Sequence, residues 1–302
     1  MNRKLCVGLC LATLPIVWGL AGCGGGDGAG VAKQPAKTPT VTEGGAGKAA
    51  DKGGEKAEPV KTESSKAEAA PAGEGWGGIK GQVVFGGDQI PEPTLIVKKG
   101  DPAAKDPAVC AVEDIFSQEL VVNKDNKGLR WVLVYIGGKP AVHPDMKQAE
   151  GTVELGQKFC SFRPHVVALR HGQKFLITSD DPVAHNTKGD CFKNPGFNPT
   201  VPPAPEGGRS ELAGPDLDAE PRPFPISCGI HPWMKAYMGV FDHPYYAVTD
   251  ENGNFEIKNI PAGSQKLVVW QEKFGWGEGA GKGKDITVKA GDTTDLGQLT
   301  FK

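Results

Sequence analysis

Four side chains in two short stretches have the types and spacing to hold a redox-active metal. Cys228, His231 and Met234 follow one another with two residues between each pair in "CGIHPWM", and the strand-like "MGVF" comes soon after. An earlier imidazole, His185, stands in "DPVAHN" and is followed by Asn186. Two imidazoles and one thiolate in a near-trigonal plane, with a weak axial thioether, suit copper, because borderline nitrogen and soft sulfur donors accommodate both Cu(II) and Cu(I). On a β-sandwich such a set is built by placing one His on an earlier loop and the other three donors on one tight loop between adjacent strands. The plainer account of Cys228 is a disulfide partner or an inert buried thiol. Three donors of complementary softness at regular short spacing favour the metal. Met238 competes with Met234 for the axial role, and Met234 has the better spacing. His165, His171 and His243 read as surface or hydrogen-bonded structural histidines.

An enzyme finds little support. His231 belongs to the same loop as Cys228, so no separate base is offered to a nucleophilic thiol. No phosphate-cradling glycine loop and no His-Glu-x-x-His pattern occurs.

The elements that must position these donors are short strands. "IKGQVVF", "TLIV", "ELVV", "LRWVLVYI", "GTVEL", "HVVAL", "KFLITS", "MGVF", "YAVTD", "NFEIKNI", "KLVVWQE", "KDITV" and "LGQLTF" are β-branched and aromatic runs bounded by Gly, Pro, Asp and Asn, with no helical period between them. Their number suits two sandwiches. "DENGN", Asp250 to Asn254, carries an Asn-Gly pair between "YAVT" and "FEIK" and predicts a hairpin. Gly189 to Pro225, rich in Pro, Gly and Asp, reads as a long excursion loop.

Upstream the composition changes. Arg3 and Lys4 precede an apolar run from Leu5 to Leu20, too short and too quickly followed by glycines for a good membrane span, which reads as a signal peptide. Leu20, Ala21, Gly22 and Cys23 resemble the lipobox of bacterial lipoproteins, which implies cleavage before Cys23 and its lipidation. Gly24 in place of aspartate implies an outer-membrane anchor where two membranes exist, periplasmic or surface-facing. Between Gly24 and Gly75 there is no aromatic residue and no Leu, Ile or Met, so that stretch is expected to be a disordered tether with a reach of about 40 Å. Net charge is −2 in 302 residues, which gives no basic face for nucleic acid.

In an extracytoplasmic, oxidising space the folded part keeps Cys110, Cys160, Cys191 and Cys228. Four cysteines allow three complete pairings, and two disulfides with no metal is one account. If Cys228 is a ligand, one disulfide and one leftover thiol remain. Cys110 with Cys160 is the pairing we favour, since each lies beside predicted strands and Cys191 sits in a loop.

With these residues in view, the chain resembles the cupredoxin family, its amicyanin- and plastocyanin-like members in particular. There a His-Asn pair supplies the first imidazole and a later Cys-x-x-His-Pro-aromatic-Met loop supplies three further ligands. The resemblance implies that His185, Cys228, His231 and Met234 ligate copper. It implies that Asn186 ties the two ligand loops together while its backbone approaches the thiolate, with Pro232 and Trp233 beside the ligands. "CSFRPHVVALRHGQKFLITSDDPVAHN" and "HPYYAVTDENGNFEIKNIPAGSQKLVVW" are also similar to methylamine-utilisation-type secreted proteins. In these a cupredoxin domain precedes a carboxypeptidase regulatory-like, or transthyretin-like, sandwich.

The implied fold class is all-β: a cupredoxin-like Greek-key β-sandwich plus a smaller transthyretin-like β-sandwich, preceded by the tether. The implied divisions are a signal peptide over 1–22, the tether over 23–75, N-terminal strands and the cupredoxin-like domain over 76–243, and the second module over 244–302. That module normally opens with a strand like "IKGQVV", which here lies far upstream. This leaves open a sandwich completed by strands from 76–100, with the copper domain inserted. The expected function is one-electron transfer by a lipid-anchored blue copper protein with an unidentified redox protein partner. Copper delivery or storage at the same ligands is the first alternative. A metal-free structural or carbohydrate-binding lipoprotein, with Trp270 and Trp276 as a sugar platform, is the other.

Overall fold

A computed structural model describes residues 74–302. The expectations for the signal peptide, for lipidated Cys23 and for the tether up to residue 73 lie outside the described residues. The described part is almost entirely β, and no helix in it is long and apolar enough to cross a membrane.

Four main sheets stack face to face. The first runs Ser210–Ala213, Lys174–Ser179, Thr152–Gln157, Phe162–Arg163, and the second runs Lys188–Gly189, Phe224–Ser227, Lys235–Phe241, Val166–Arg170. The third runs Tyr246–Val248, Leu133–Ile136, Gly263–Gln271, Gly275–Trp276, with Lys284–Val288 also paired to Gly263–Gln271. The fourth runs Asn254–Pro261, Trp76–Phe85, Thr293–Phe301, with the middle strand antiparallel to the former neighbour and parallel to the latter.

The period-2 alternation of strand side chains explains the stack. In Lys235–Phe241, Ala236, Met238 and Val240 face a core shared with Leu155, Phe175 and Ile177 of the first sheet. Tyr237 and Phe241 face the other way, onto Leu133 and Trp270 of the third sheet. Val134, Ile136, Leu267 and Val269 then point out of the third sheet onto Ile79, Val83, Phe255 and Ile257 of the fourth. The two inner sheets are therefore covered on both faces, which is why "HVVAL" and "LVYI" are continuous apolar runs rather than alternating ones. Each such buried aliphatic side chain contributes about 1.5–3 kcal/mol relative to exposure, so the inner strands form a rigid base for the loops at their ends. At Gly239 an added Cβ would stand 2.7 Å from Leu133 Cδ2, so any side chain there would force the buried Leu133 to shift.

Two expectations are corrected. The turn at Asp250–Asn254 exists: the Asp250 carboxylate accepts the N–H groups of Asn252 and Asn254 at 2.9 and 2.8 Å, and Gly253 takes a φ of +77°. It is a corner between sheets and not a hairpin, because Tyr246–Val248 pairs with Leu133–Ile136 whereas Asn254–Pro261 pairs with Trp76–Phe85. The turn docks on that last strand through Val83 N–H donating to Gly253 O at 2.8 Å. The segment from Gly189 to Pro225 is also less irregular than expected. Ser210–Ala213 forms an edge strand on Lys174–Ser179, and the Glu220 carboxylate accepts the N–H groups of Phe192, Lys193 and Asn194.

Candidate metal centre

The antiparallel strands Phe224–Ser227 and Lys235–Phe241 are joined by the loop that holds Cys228, His231 and Met234. The loop closes on itself: Met234 N–H donates to His231 O at 2.9 Å, and Cys228 N–H donates to Met234 O at 3.2 Å. His185–Asn186 pairs with Thr200–Val201, and the following Lys188–Gly189 pairs with Phe224–Ser227. The earlier imidazole is thus stitched to the strand that feeds the loop.

This arrangement brings three of the expected donors together. The ligand atoms of His185, Cys228 and His231 all lie within 4.8 Å of one another, and all three side chains are buried. His185 Nδ1 and His231 Nδ1 are 3.0 Å apart, and Cys228 Sγ is 4.0 Å from His231 Nδ1. Met234 is buried in the same core as Cys228; Met238 is buried further along the strand. Asn186 spans the two segments. Its Oδ1 accepts Gly229 N–H at 2.7 Å and lies 3.3 Å from Cys228 Sγ, while its own N–H points to that sulfur at 3.5 Å. Pro232 is exposed, and Trp233 packs its ring 5.4 Å from that of His231 and donates Nε1–H to Cys160 O at 3.0 Å.

The far side of each imidazole meets a carboxylate. His185 Nε2 is 2.8 Å from Asp181 Oδ2, and His231 Nε2 is 3.0 Å from Asp106 Oδ2. A carboxylate only accepts, so each Nε2 carries the hydrogen and two Nδ1 lone pairs are left facing each other. At 3.0 Å that is repulsive unless a proton or a cation lies between them, and two nitrogens so placed can share one ion at bonds of about 2 Å. The thiol is tuned the same way. Burial alone would push Cys228 up, but its interactions with His185 and His231 and the Asn186 N–H outweigh burial and bring it down to about 5. Burial likewise opposes the charged form of His185, yet Asp181 and Cys228 together raise it. A thiolate and two oriented imidazoles, all buried from solvent, fit a thiophilic, redox-active ion.

Three supporting residues escape the sequence reading. Asp181 could have been noticed four positions before His185. Asn198, 2.5 Å from Asn186 Nδ2, and Asp106, which comes from the opposite end of the folded chain, carry no local signal. The structure joins Cys110 to Cys160 and leaves Cys191 and Cys228 free. His165 and His243 are buried and hydrogen-bonded, and His171 is exposed beside Asp218. Trp270 is buried against Tyr237 at 4.9 Å between ring centroids, so it presents no platform to a sugar.

A family model described as polysaccharide lyase family 4, domain II, matches residues 240–296. No curated relative matches the chain. Among solved structures, a copper-containing nitrite reductase from Thermus scotoductus SA-01 is similar over 34% of this chain, at 18% identity and a TM-score of 0.26. The match spans 25% of the nitrite reductase chain. Amicyanin from Paracoccus versutus is similar over 35% of this chain and 96% of its own, at 14% identity and a TM-score of 0.24. A purple cupredoxin from Nitrosopumilus maritimus is similar over 30% of this chain and 99% of its own, at 16% identity and a TM-score of 0.23.

Proposed function

We propose that this chain is a cupredoxin-like, lipid-anchored extracytoplasmic blue copper protein that carries single electrons and performs no substrate chemistry of its own. The observation that carries the reading is the pair of buried Nδ1 atoms 3.0 Å apart beside the Cys228 sulfur, with both Nε2 atoms already committed to carboxylates. His185, Cys228 and His231 would hold the ion, with Met234 as a further, weak thioether donor. Copper bound there supplies a Cu(II)/Cu(I) couple.

The chain's own residues do the rest. Asp181 and Asp106 fix the ring orientations. Asn186 binds the ligand loop to the first-imidazole strand and directs its N–H at the sulfur, which tempers the sulfur's charge. Full burial of both rings excludes water and keeps the donors from rearranging between oxidation states. Cys23 would provide the membrane anchor and residues 23–75 the tether. An unidentified redox protein would be the electron partner.

Adding Cu(II) to the purified protein tests the reading. An intense thiolate-to-Cu(II) charge-transfer colour and a reversible one-electron wave are expected. A colourless protein that takes up no copper sinks the proposal. Copper uptake without a reversible couple would move the chain to copper delivery or storage.

A further inference from the structure

Both imidazoles meet carboxylates, and the backbones around those carboxylates meet at one covalent bond. Asp106 O accepts the N–H groups of Val109 and Cys110 at 3.0 and 2.9 Å, so the Asp106 backbone is tied directly to Cys110. Asp106 itself sits at φ 52° and ψ 56°, a left-handed conformation that Asp enters more readily than most residues with a Cβ. Across the disulfide, Cys160 N–H donates to Asp181 Oδ2 at 2.8 Å and Phe159 N–H donates to Asp181 Oδ1 at 2.7 Å. Phe159 and Cys160 also have left-handed φ values, 51° and 52°, which turn their two N–H groups toward the one carboxylate. The Cys160 carbonyl accepts the Trp233 indole N–H, which holds the aromatic beside His231.

We propose that the Cys110–Cys160 disulfide is the positioning element of the candidate metal centre, holding Asp106 on His231 and Asp181 on His185 so that both Nδ1 atoms face one point. The connection runs without a gap from His231 through Asp106, Cys110, Cys160 and Asp181 to His185. Cys110 and Cys160 are both fully buried against the same core that contains Cys228 and Met234. A disulfide that only restricts the unfolded chain would raise stability and leave the imidazoles alone. One that positions the site governs which ring nitrogen carries the hydrogen and where each ring points. The inference rests on the proposed function only in taking His185 and His231 as metal-binding residues.

The test compares the wild-type chain with the double variant Cys110→Ala/Cys160→Ala and a volume-filling pair, Cys110→Val/Cys160→Ala. Asp106→Ala, which keeps the disulfide, and Ile257→Ala, which weakens the other core, complete the set. In the metal-free proteins, long-range proton–nitrogen correlations read the Nε2–H of His185 and His231. A competition titration against a chromophoric Cu(I) chelator reads metal affinity.

Loss of protected Nε2–H signals from both rings is expected in the disulfide variants, with Cu(I) affinity about 10–100-fold weaker. Asp106→Ala should lose the His231 signal alone, and Ile257→Ala should keep both. Persistence of both signals in either disulfide variant, or equal loss in Ile257→Ala, overturns the proposal. Should the wild-type chain bind no copper, the copper reading fails while the imidazole signals still decide this one. Should the alanine pair not fold, the volume-filling pair supplies the comparison, and an unaltered His231 signal in Asp106→Ala overturns the claimed connection by itself.

Discussion

His165 Nε2 lies 2.6 Å from Glu272 Oε2, and through that contact the sheet that carries the ligand loop is bound to the sheet behind it. His165 leads into Val166–Arg170, Glu272 follows Gly263–Gln271, and the second imidazole nitrogen faces Lys235 O at 3.1 Å. The two side chains are only 5% and 11% exposed. Removing one partner of a nearly buried pair strands the other, at a cost of about 3–5 kcal/mol. His165→Ala is expected to lower the denaturant midpoint by a corresponding amount. The double replacement His165→Phe/Glu272→Leu should recover most of it, since no carboxylate is then left behind.

Removing the thiolate and removing a buried histidine elsewhere should give opposite results. Cys228→Ala is expected to abolish the charge-transfer colour of the copper-loaded protein. His243→Ala should keep the colour at full intensity. The second change has its own cost, because His243 Nδ1 faces Tyr245 N–H at 3.2 Å and that donor would be orphaned in the core. A loss of about 1–3 kcal/mol, read from chemical denaturation, is expected.

Glu220 predicts a local response to acid. Its slight burial opposes ionisation, but hydrogen bonds from Asn194, Lys193 and Phe192 outweigh burial and hold its carboxyl below the usual range. A depressed folded value means that the stabilisation is complete above the ordinary carboxylate range of about 4.3 and is lost as pH falls through the folded value. Protection of the Phe192, Lys193 and Asn194 amides, measured against the intrinsic exchange rate at each pH, should therefore fall as pH drops below the ordinary carboxylate range of about 4.3. Glu220→Gln should show fast exchange already at neutral pH; slow exchange there would refute the assignment.

Alkylation of the denatured, non-reduced protein should label Cys191 and Cys228 and recover Cys110 and Cys160 in one linked pair of peptides. In the native state Cys191 should react slowly at neutral pH. Its burial, with Glu220 and Asp190 nearby, pushes the thiol up to about 11. A Cys191 that alkylates as fast as a free peptide thiol would contradict this environment.

Which parts of this molecule could be read in advance follows from how far each interaction reaches along the chain. Cys228, His231 and Met234 are set by one closed loop, so their spacing shows in seven consecutive residues. Asp181 lies one short turn before His185 and was within reach of the same reasoning. Asp106 was not: its place beside His231 is decided by the disulfide to Cys160, and nothing in "KDPAVC" announces a partner 125 positions away. The corner at Asp250–Asn254 shows the same division. Local turn chemistry dictates that the chain reverses there, whereas the choice between pairing with each other and pairing with Leu133–Ile136 and Trp76–Phe85 rests on cores assembled from distant segments.

The central strand of the fourth sheet makes closure of the stack a long-range event. Trp76–Phe85 takes its neighbours from Asn254–Pro261 and from Thr293–Phe301, with Gly78 opposite Thr293 and Phe85 opposite Phe301. This strand precedes the ligand-bearing segment and both its neighbours follow it, so it keeps two unpaired edges until chain from beyond that segment reaches it. Folding of that segment first shortens the span that the closing strands must bridge, and the entropy of closure falls accordingly. A chain shortened by its last ten residues would leave Trp76–Phe85 without its parallel neighbour Thr293–Phe301.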